Sequence, residues 1–224
     1  MVARWLQRQW FEQRRLPPAL WLLAPLAGLY SVVAARNRRQ ARAERLAVPV
    51  IVVGNITVGG AGKTPLTLWL AGQLKERGWR PGIVSRGYGG QGALPRPVAP
   101  DSAAVDVGDE PILLARRSGV PVWVGRDRVA VGNTLLAAHP DVNVVLCDDG
   151  LQHYRLARDV ELAVFDGRGA GNGWRLPAGP LREPLSRLAA VDAVICNGAP
   201  DERLPSALPR FDMHLRAGEF YRLD

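Results

Sequence analysis

The chain has 224 residues, 47% of them hydrophobic and 22% charged, a composition that supports one sizeable folded core with an appendage. Its formal net charge is +8, but residues 1–46 carry nine Arg against only Glu12 and Glu44, so the remainder is nearly neutral. That distribution argues against a nucleic-acid-binding surface, which needs many cations on the docking face, and two cysteines, Cys147 and Cys196, are too few for a disulfide framework.

From the N-terminus, the first feature is Leu16 to Ala35, which has no charged residue over a length close to the ~20 residues that span a bilayer. Arg14 and Arg15 flank it on one side, and Arg36, Arg38 and Arg39 on the other. Trp5, Trp10, Phe11, Trp21 and Tyr30 interleave with arginine in the manner of an interfacial segment. A cleaved signal peptide does not fit the prolines and the following arginine cluster. Pro17, Pro18 and Pro25 are expected to interrupt a straight helix, so a monotopic or re-entrant anchor is as acceptable as a single span. The plainer alternative is a buried core helix. Residues 1–46 are assigned to the anchor, which implies membrane lipid as a partner.

Beyond Val48, short β-branched runs alternate with helical stretches, the pattern of a mostly parallel α/β sheet with helices on both faces. The strands expected are Val48–Gly54, Pro81–Ser85, Val120–Val124, Val142–Cys147, Val160–Phe165 and Ala193–Cys196. The helices expected are Lys63–Arg77, Glu110–Arg117, Arg126–Ala138 and Glu183–Ala190, with Gly87–Pro100 a Gly/Pro-rich loop. Residues 47–197 form the main domain, and 198–224 the start of a further, incomplete portion. Ligands are expected at the carboxyl ends of the strands.

The run ITVGGAGKT sits between the first strand and the first helix of this domain, the context that a P-loop (Walker A) requires. Residues Thr57, Val58, Gly59, Gly60, Ala61, Gly62, Lys63 and Thr64 are the candidate ATP-binding loop. Its glycines let main-chain N–H groups close on phosphate oxygens, Lys63 bridges the β- and γ-phosphates, and the Thr64 hydroxyl ligates Mg2+. Thr57 stands where the usual motif begins with Gly. Lys63 and Lys75 are the only lysines among 29 basic residues, which marks Lys63 as a position where a slim ammonium is required.

The strand VNVVLCDDG ends in Asp148 and Asp149, either of which suits the Mg2+-holding acid of a Walker B strand; an Asp-Asp-Gly turn is the alternative. Gln152 and His153 follow within reach. Asp109 and Glu110, before an expected helix, read first as an N-cap pair and second as kinase carboxylates. Arg86, Arg126 and Arg128 follow expected strands and suit acidic substrate groups, while Arg182 and Glu183 lie on the stiff loop LPAGPLREP.

Taken in order, VGNITVGGAGKTP, SRGYGG, VGDEP, GRDR, DDGLQH and LPAGPLREP resemble the tetraacyldisaccharide 4'-kinase family of lipid A biosynthesis, over a range from the anchor to about Asn197. The resemblance implies transfer of the ATP γ-phosphoryl group to the 4'-hydroxyl of a tetraacylated glucosamine disaccharide 1-phosphate at the cytoplasmic face of the inner membrane, with Mg2+. It implies a base-supporting catalytic role for Asp109, metal-site roles for Glu110 and the Asp148/Asp149 pair, and substrate-site roles for Arg182 and Glu183. From the residues themselves, Lys63 is a catalytic candidate, Thr64 a metal-ligand candidate, and Arg86, Arg128, Gln152 and His153 candidate substrate contacts. Members of that family extend further at the C-terminus and contribute from there a histidine that partners the catalytic Asp; His214 does not stand in that motif. The rival readings are a membrane-associated P-loop ATPase or GTPase switch and an inactive nucleotide-binding fragment. A switch of the deviant type carries an extra Lys near the start of the loop, where Thr57 and Val58 stand, and a guanine-selective NKxD is absent.

Overall fold

Val50, Val52 and Val53 are buried on both faces of the strand they build, β1 (Val50–Gly54), and this double burial is what an unalternating apolar run requires. In the computed structural model, which describes residues 2–13, 15–91 and 94–216, β1 lies at the centre of an eight-stranded sheet. Arg14 of the anchor flank, Gly92 and Ala93 of the Gly/Pro-rich loop, and residues 217–224 lie outside the described residues. The remaining strands are β2 (Pro81–Ser85), β3 (Arg96–Pro97), β4 (Val122–Val124), β5 (Val144–Asp148), β6 (Val160–Asp166), β7 (Ala193–Asn197) and β8 (Arg210–Met213). Their spatial order is β3-β4-β2-β5-β1-β6-β7-β8, all parallel except the short antiparallel β3.

The chain leaves β1 toward β2 and returns through β5 before crossing to β6 on the other side. The order therefore reverses at β1, and the crevice at the carboxyl ends of β1 and β5 is where such sheets bind ligands. Two of the apolar layers lie on opposite sides of the sheet. One gathers Val52, Val131, Leu135, Val145 and Phe165; the other gathers Ala71, Ile83, Ile112, Leu114 and Leu146.

Helices α3 (Lys63–Glu76), α4 (Ala104–Val107), α5 (Asp109–Ser118) and α6 (Arg128–Ala138) supply these layers. Asp127 caps α6 by accepting from the Val129 N–H at 3.1 Å. Gly119, with φ 61°, closes α5 in the left-handed conformation. Asp109 and Glu110 are not caps: α5 begins at Asp109 behind Gly108, and the two carboxylates sit in its first turn, where the helix dipole favours negative charge. The helix expected at Glu183–Ala190 is six residues of 3-10 helix, Leu185–Ala190, behind Pro184. β3, α4 and β8 were not expected. The pairing of β8 with β7 carries the same sheet into the 198–224 segment.

At the N-terminus, α1 (Val2–Phe11) precedes a 3-10 turn at Pro18–Leu23 and α2 (Ala24–Gln40). The prolines do not interrupt a helix as expected. Pro17 and Pro18 stand at the entry to the 3-10 turn and Pro25 in the first turn of α2, positions where a missing N–H costs nothing. Pro18–Gln40 is long and apolar enough to cross a membrane, with mean hydropathy 1.7 and 11% of its apolar window buried. Among the described residues the segment is mostly uncovered: Leu20 and Ala27 are buried, whereas Trp21, Leu22, Leu29 and Val32 are exposed, which disfavours a core helix.

Candidate functional site

The turn from Ile56 to Gly62 leaves the carboxyl end of β1 and delivers the chain into α3. Gly62 has φ 99°, a left-handed conformation that favours glycine, and a Cβ there would also press on the side-chain ends of Met213 and Asn197, at 2.8 and 3.0 Å. Lys63, its side chain 12% exposed, reaches back along the loop. Its Nζ lies 3.4 Å from Asn55 Oδ1 and 3.5 Å from Asp149 Oδ1. Thr64, half-buried, is the second residue of α3, with its hydroxyl at the helix N-terminus.

β5 lies beside β1, in register so that Val53 faces Asp148, and this pairing brings the Asp pair to the loop. Asp148 is buried, with Oδ1 accepting from the Thr67 hydroxyl at 3.0 Å and Oδ2 buried without a partner. Burial, with the negative charges of Asp149 and Glu110 adding to it, pushes the Asp148 carboxyl up to about 6 against the opposing pull of Thr67 and Lys63. A buried carboxylate with one unused oxygen beside a phosphate-type loop suits a divalent cation. Among the described residues no cluster of three or more His, Cys, Asp or Glu stands ready to hold a metal ion.

Asp149, with φ 51°, turns away from Asp148 and toward the basic side. Arg182 Nη1 lies 3.4 Å from both Asp149 oxygens and 3.3 Å from Gln152 Oε1. Gln152 Nε2 donates to Asn55 O at 2.9 Å and Glu183 Oε2 at 3.0 Å. Glu183 is buried, and desolvation raises its carboxyl above the usual range. Lys63, Asp149, Arg182, Gln152 and Glu183 thus form one continuous polar chain. It ends at a cleft of about 310 Å³ between α2 and the 175–184 loop, lined by Tyr30, Arg38, Arg175, Arg182 and Glu183 among others.

The other expected residues fall in three places. Arg86 and Arg126 are exposed at strand ends, and Asp109 and Glu110 are exposed on the first turn of α5. The SRGYGG loop runs close to the α4–α5 junction: a Cβ on Gly108 would collide with Tyr88 O, and just beyond the loop the Gln91 N–H donates to Val105 O at 3.0 Å. Arg128 is buried rather than facing the cleft, and its Nη1 donates to the carbonyls of Gly125 and Arg126 at 3.1 Å each. His153 Nε2 accepts from the Arg128 N–H at 3.2 Å. Burial and the surrounding Arg128 charge depress the His153 imidazole to about 4, which keeps it a neutral acceptor bracing the GRDR turn.

Sequence reasoning missed Asn55, Thr67 and Arg168. Asn55, fully buried after β1, donates to Gly59 O at 3.3 Å and accepts from Lys63. Thr67 lies one helical turn beyond Lys63, a spacing that places it under the loop and was legible in GKTPLT. Arg168 reaches the loop only through the fold.

A parallel sheet reversing at β1, with a glycine loop and a following lysine at its switch point, defines a P-loop nucleotide-binding protein. The family model described as tetraacyldisaccharide-1-P 4'-kinase (LpxK) matches residues 19–224, and the chain belongs to that family. A tetraacyldisaccharide 4'-kinase from Dechloromonas aromatica (strain RCB) is 71% identical over 224 residues, covering 100% of this chain and 67% of the relative. One from Herminiimonas arsenicoxydans is 57% identical over 204 residues, covering 88% of this chain and 56% of the relative. The crystal structure of Aquifex aeolicus LpxK in complex with ATP superimposes with a TM-score of 0.76 at 31% identity, over 87% of this chain and 64% of that one. The chain therefore spans between about half and two thirds of the length of these relatives.

Proposed function

We propose that this chain carries the ATP- and lipid-headgroup-binding part of a tetraacyldisaccharide 4'-kinase, which phosphorylates the 4'-hydroxyl of a tetraacylated glucosamine disaccharide 1-phosphate. The observation that carries this reading is the unbroken polar chain from Lys63 through Asp149, Arg182 and Gln152 to Glu183, because it joins a phosphate loop to a cleft that opens against an apolar helix. A nucleotide switch has no need of that second half.

On this reading Lys63 and the N–H groups of residues 59–63 hold the β- and γ-phosphates, and Arg182 and Glu183 orient the sugar. Thr64 and Asp148, with Glu110 near, would hold Mg2+, which supplies charge neutralisation on the phosphates. The 4'-oxygen attacks the γ-phosphorus as its bond to the β–γ bridging oxygen breaks; the hydroxyl proton passes to Asp109 and ADP leaves. Exposed Trp21, Leu22, Leu26 and Leu29 support an anchor in residues 1–46 at the cytoplasmic face of the inner membrane, where an acylated substrate is held at high local concentration. Residues 47–197 would then be the catalytic unit.

Incubation of the protein with radiolabelled ATP, Mg2+ and the disaccharide lipid tests the reading. Label on the lipid that disappears in Lys63→Ala is the expected result. Label released only as inorganic phosphate would identify a hydrolytic switch and overturn it.

A further inference from the structure

Three successive carbonyls of the phosphate loop are each held by a side chain from elsewhere. Asn55 Nδ2 donates to Gly59 O at 3.3 Å, Arg168 Nη2 to Gly60 O at 3.3 Å, and Asn197 Nδ2 to Ala61 O at 3.4 Å. A trans peptide points its C=O and the next N–H in opposite directions. Fixing these carbonyls therefore aims the N–H groups of Gly60, Ala61 and Gly62 the other way, as an anion cradle needs. The glycines have no side chains with which to fix themselves.

Of the three clamps, Arg168 is the one that leads to the N-terminal helix α1. It lies in the turn after β6, where its N–H donates to Asp166 Oδ1 at 2.9 Å, and its Nε and Nη2 donate to Asp166 Oδ2 at 2.9 and 2.5 Å. The face of its guanidinium lies 4.6 Å from the ring centroid of Phe11, the last residue of α1. The end of α1 is itself fastened to the same loop: Trp10 O accepts from the Asn172 N–H at 2.7 Å, and Trp10 Nε1 donates to Pro177 O at 3.2 Å.

We propose that Arg168 is a positioning residue of the phosphate loop, held between Asp166 and Phe11, so that the affinity for nucleotide depends on how α1 is seated. This rests on residues 57–64 being the nucleotide site. Asp166 fixes the direction of the guanidinium and Phe11 covers its outer face. Loss of either support leaves the Gly60 peptide free to rotate and its neighbouring N–H misaimed.

The test is the dissociation constant of a fluorescent ATP analogue for the 224-residue protein, read beside the thermal midpoint. Arg168→Ala should weaken binding about tenfold, the scale of one charge-assisted hydrogen bond. Arg168→Lys should recover little, because an ammonium cannot chelate Asp166 and reach Gly60 together. Phe11→Ala should weaken binding several-fold while Phe11→Tyr restores it, with the midpoint near that of the wild type throughout. Wild-type affinity in Arg168→Ala, or in Phe11→Ala, would overturn the proposal while loss of binding in Lys63→Ala left the nucleotide site standing. Retained binding in Lys63→Ala would remove the nucleotide site and the proposal with it.

Discussion

Thr67 donates its hydroxyl to Asp148 Oδ1 at 3.0 Å, while Oδ2 of the same carboxylate is buried with no partner among the described residues. On the proposed reading Asp148 is a metal ligand, and the cost of burying its unpaired oxygen falls on the protein when no cation is bound. The folded state holds the Asp148 proton up to about pH 6, whereas the ordinary value is 3.8. Folded-state affinity for the proton therefore exceeds that of the unfolded chain, and stability falls as pH rises from 3.8 to 6. At pH 7.5 the full penalty, up to about 3 kcal/mol, is in force.

Asp148→Asn is therefore expected to raise the thermal midpoint of the nucleotide-free protein at pH 7.5 and to flatten its pH dependence between 4 and 6. The same substitution should abolish the further rise that Mg2+ produces in the presence of ATP. Differential scanning fluorimetry with and without Mg2+ measures both, and a lowered midpoint in the free variant would contradict the burial penalty.

His153 acts in the opposite pH direction. Its folded value of about 4 lies below the ordinary 6.5, so its contribution is complete above pH 6.5 and is lost as pH falls toward 4. After allowance for its partial exposure the loss is on the order of 1–2 kcal/mol. Urea unfolding of the wild type and of His153→Gln across this range should show the slope shrink in the variant; an unchanged slope would assign it to other groups.

Arg187 and Glu161 form a buried pair in which Arg187 Nη2 lies 2.6 Å from both carboxylate oxygens, and Arg158 adds a third contact to the same carboxylate at 2.8 Å. Arg187→Met should cost about 3 kcal/mol, because it leaves a buried charge with one partner in place of two. Glu161→Gln should cost at least as much, since two buried guanidiniums then face a neutral group. Chemical denaturation gives both values, and a near-neutral result in either would mean that solvent enters the site.

Arg182 joins Asp149 to Gln152 through a single nitrogen at 3.3–3.4 Å. Arg182→Lys keeps the charge but exchanges the planar guanidinium for a compact ammonium on a flexible stem, which does not hold the Nη1 position between Asp149 and Gln152, so kcat/KM for the lipid is expected to fall about tenfold or more while nucleotide affinity changes little. A fall confined to nucleotide affinity would move Arg182 from the sugar side to the phosphate side.

The central strands were legible because β-branched runs buried on both faces leave little choice: Pro81–Ser85 appears at its expected limits, and Val50–Gly54 and Val144–Asp148 differ by two residues or fewer at each end. The phosphate loop was legible for the same local reason, a glycine run with a strand before it and a helix after. What escaped was non-local. Arg168 touches Gly60 across 108 positions of sequence, and Thr67 meets Asp148 across 81. No periodicity encodes such meetings. Arg128 and His153 looked chemically available in sequence, yet both are turned inward on the GRDR turn: His153 accepts from the Arg128 N–H, and the Arg128 guanidinium bonds the carbonyls of Gly125 and Arg126. β8, four residues long with three of them exposed, lacks the apolar signal of the central strands and is held by pairing with β7.

The phosphate loop and the 175–184 loop are also stitched together by main chain: Val58 N–H to Pro180 O at 2.9 Å, and Arg182 N–H to Ile56 O at 2.7 Å. Such bonds are blind to side-chain identity. On the proposed reading, the gap between phosphoryl donor and acceptor is a property of the backbone weave, and mutation can rewrite which headgroup is gripped without altering how far the phosphoryl group must travel.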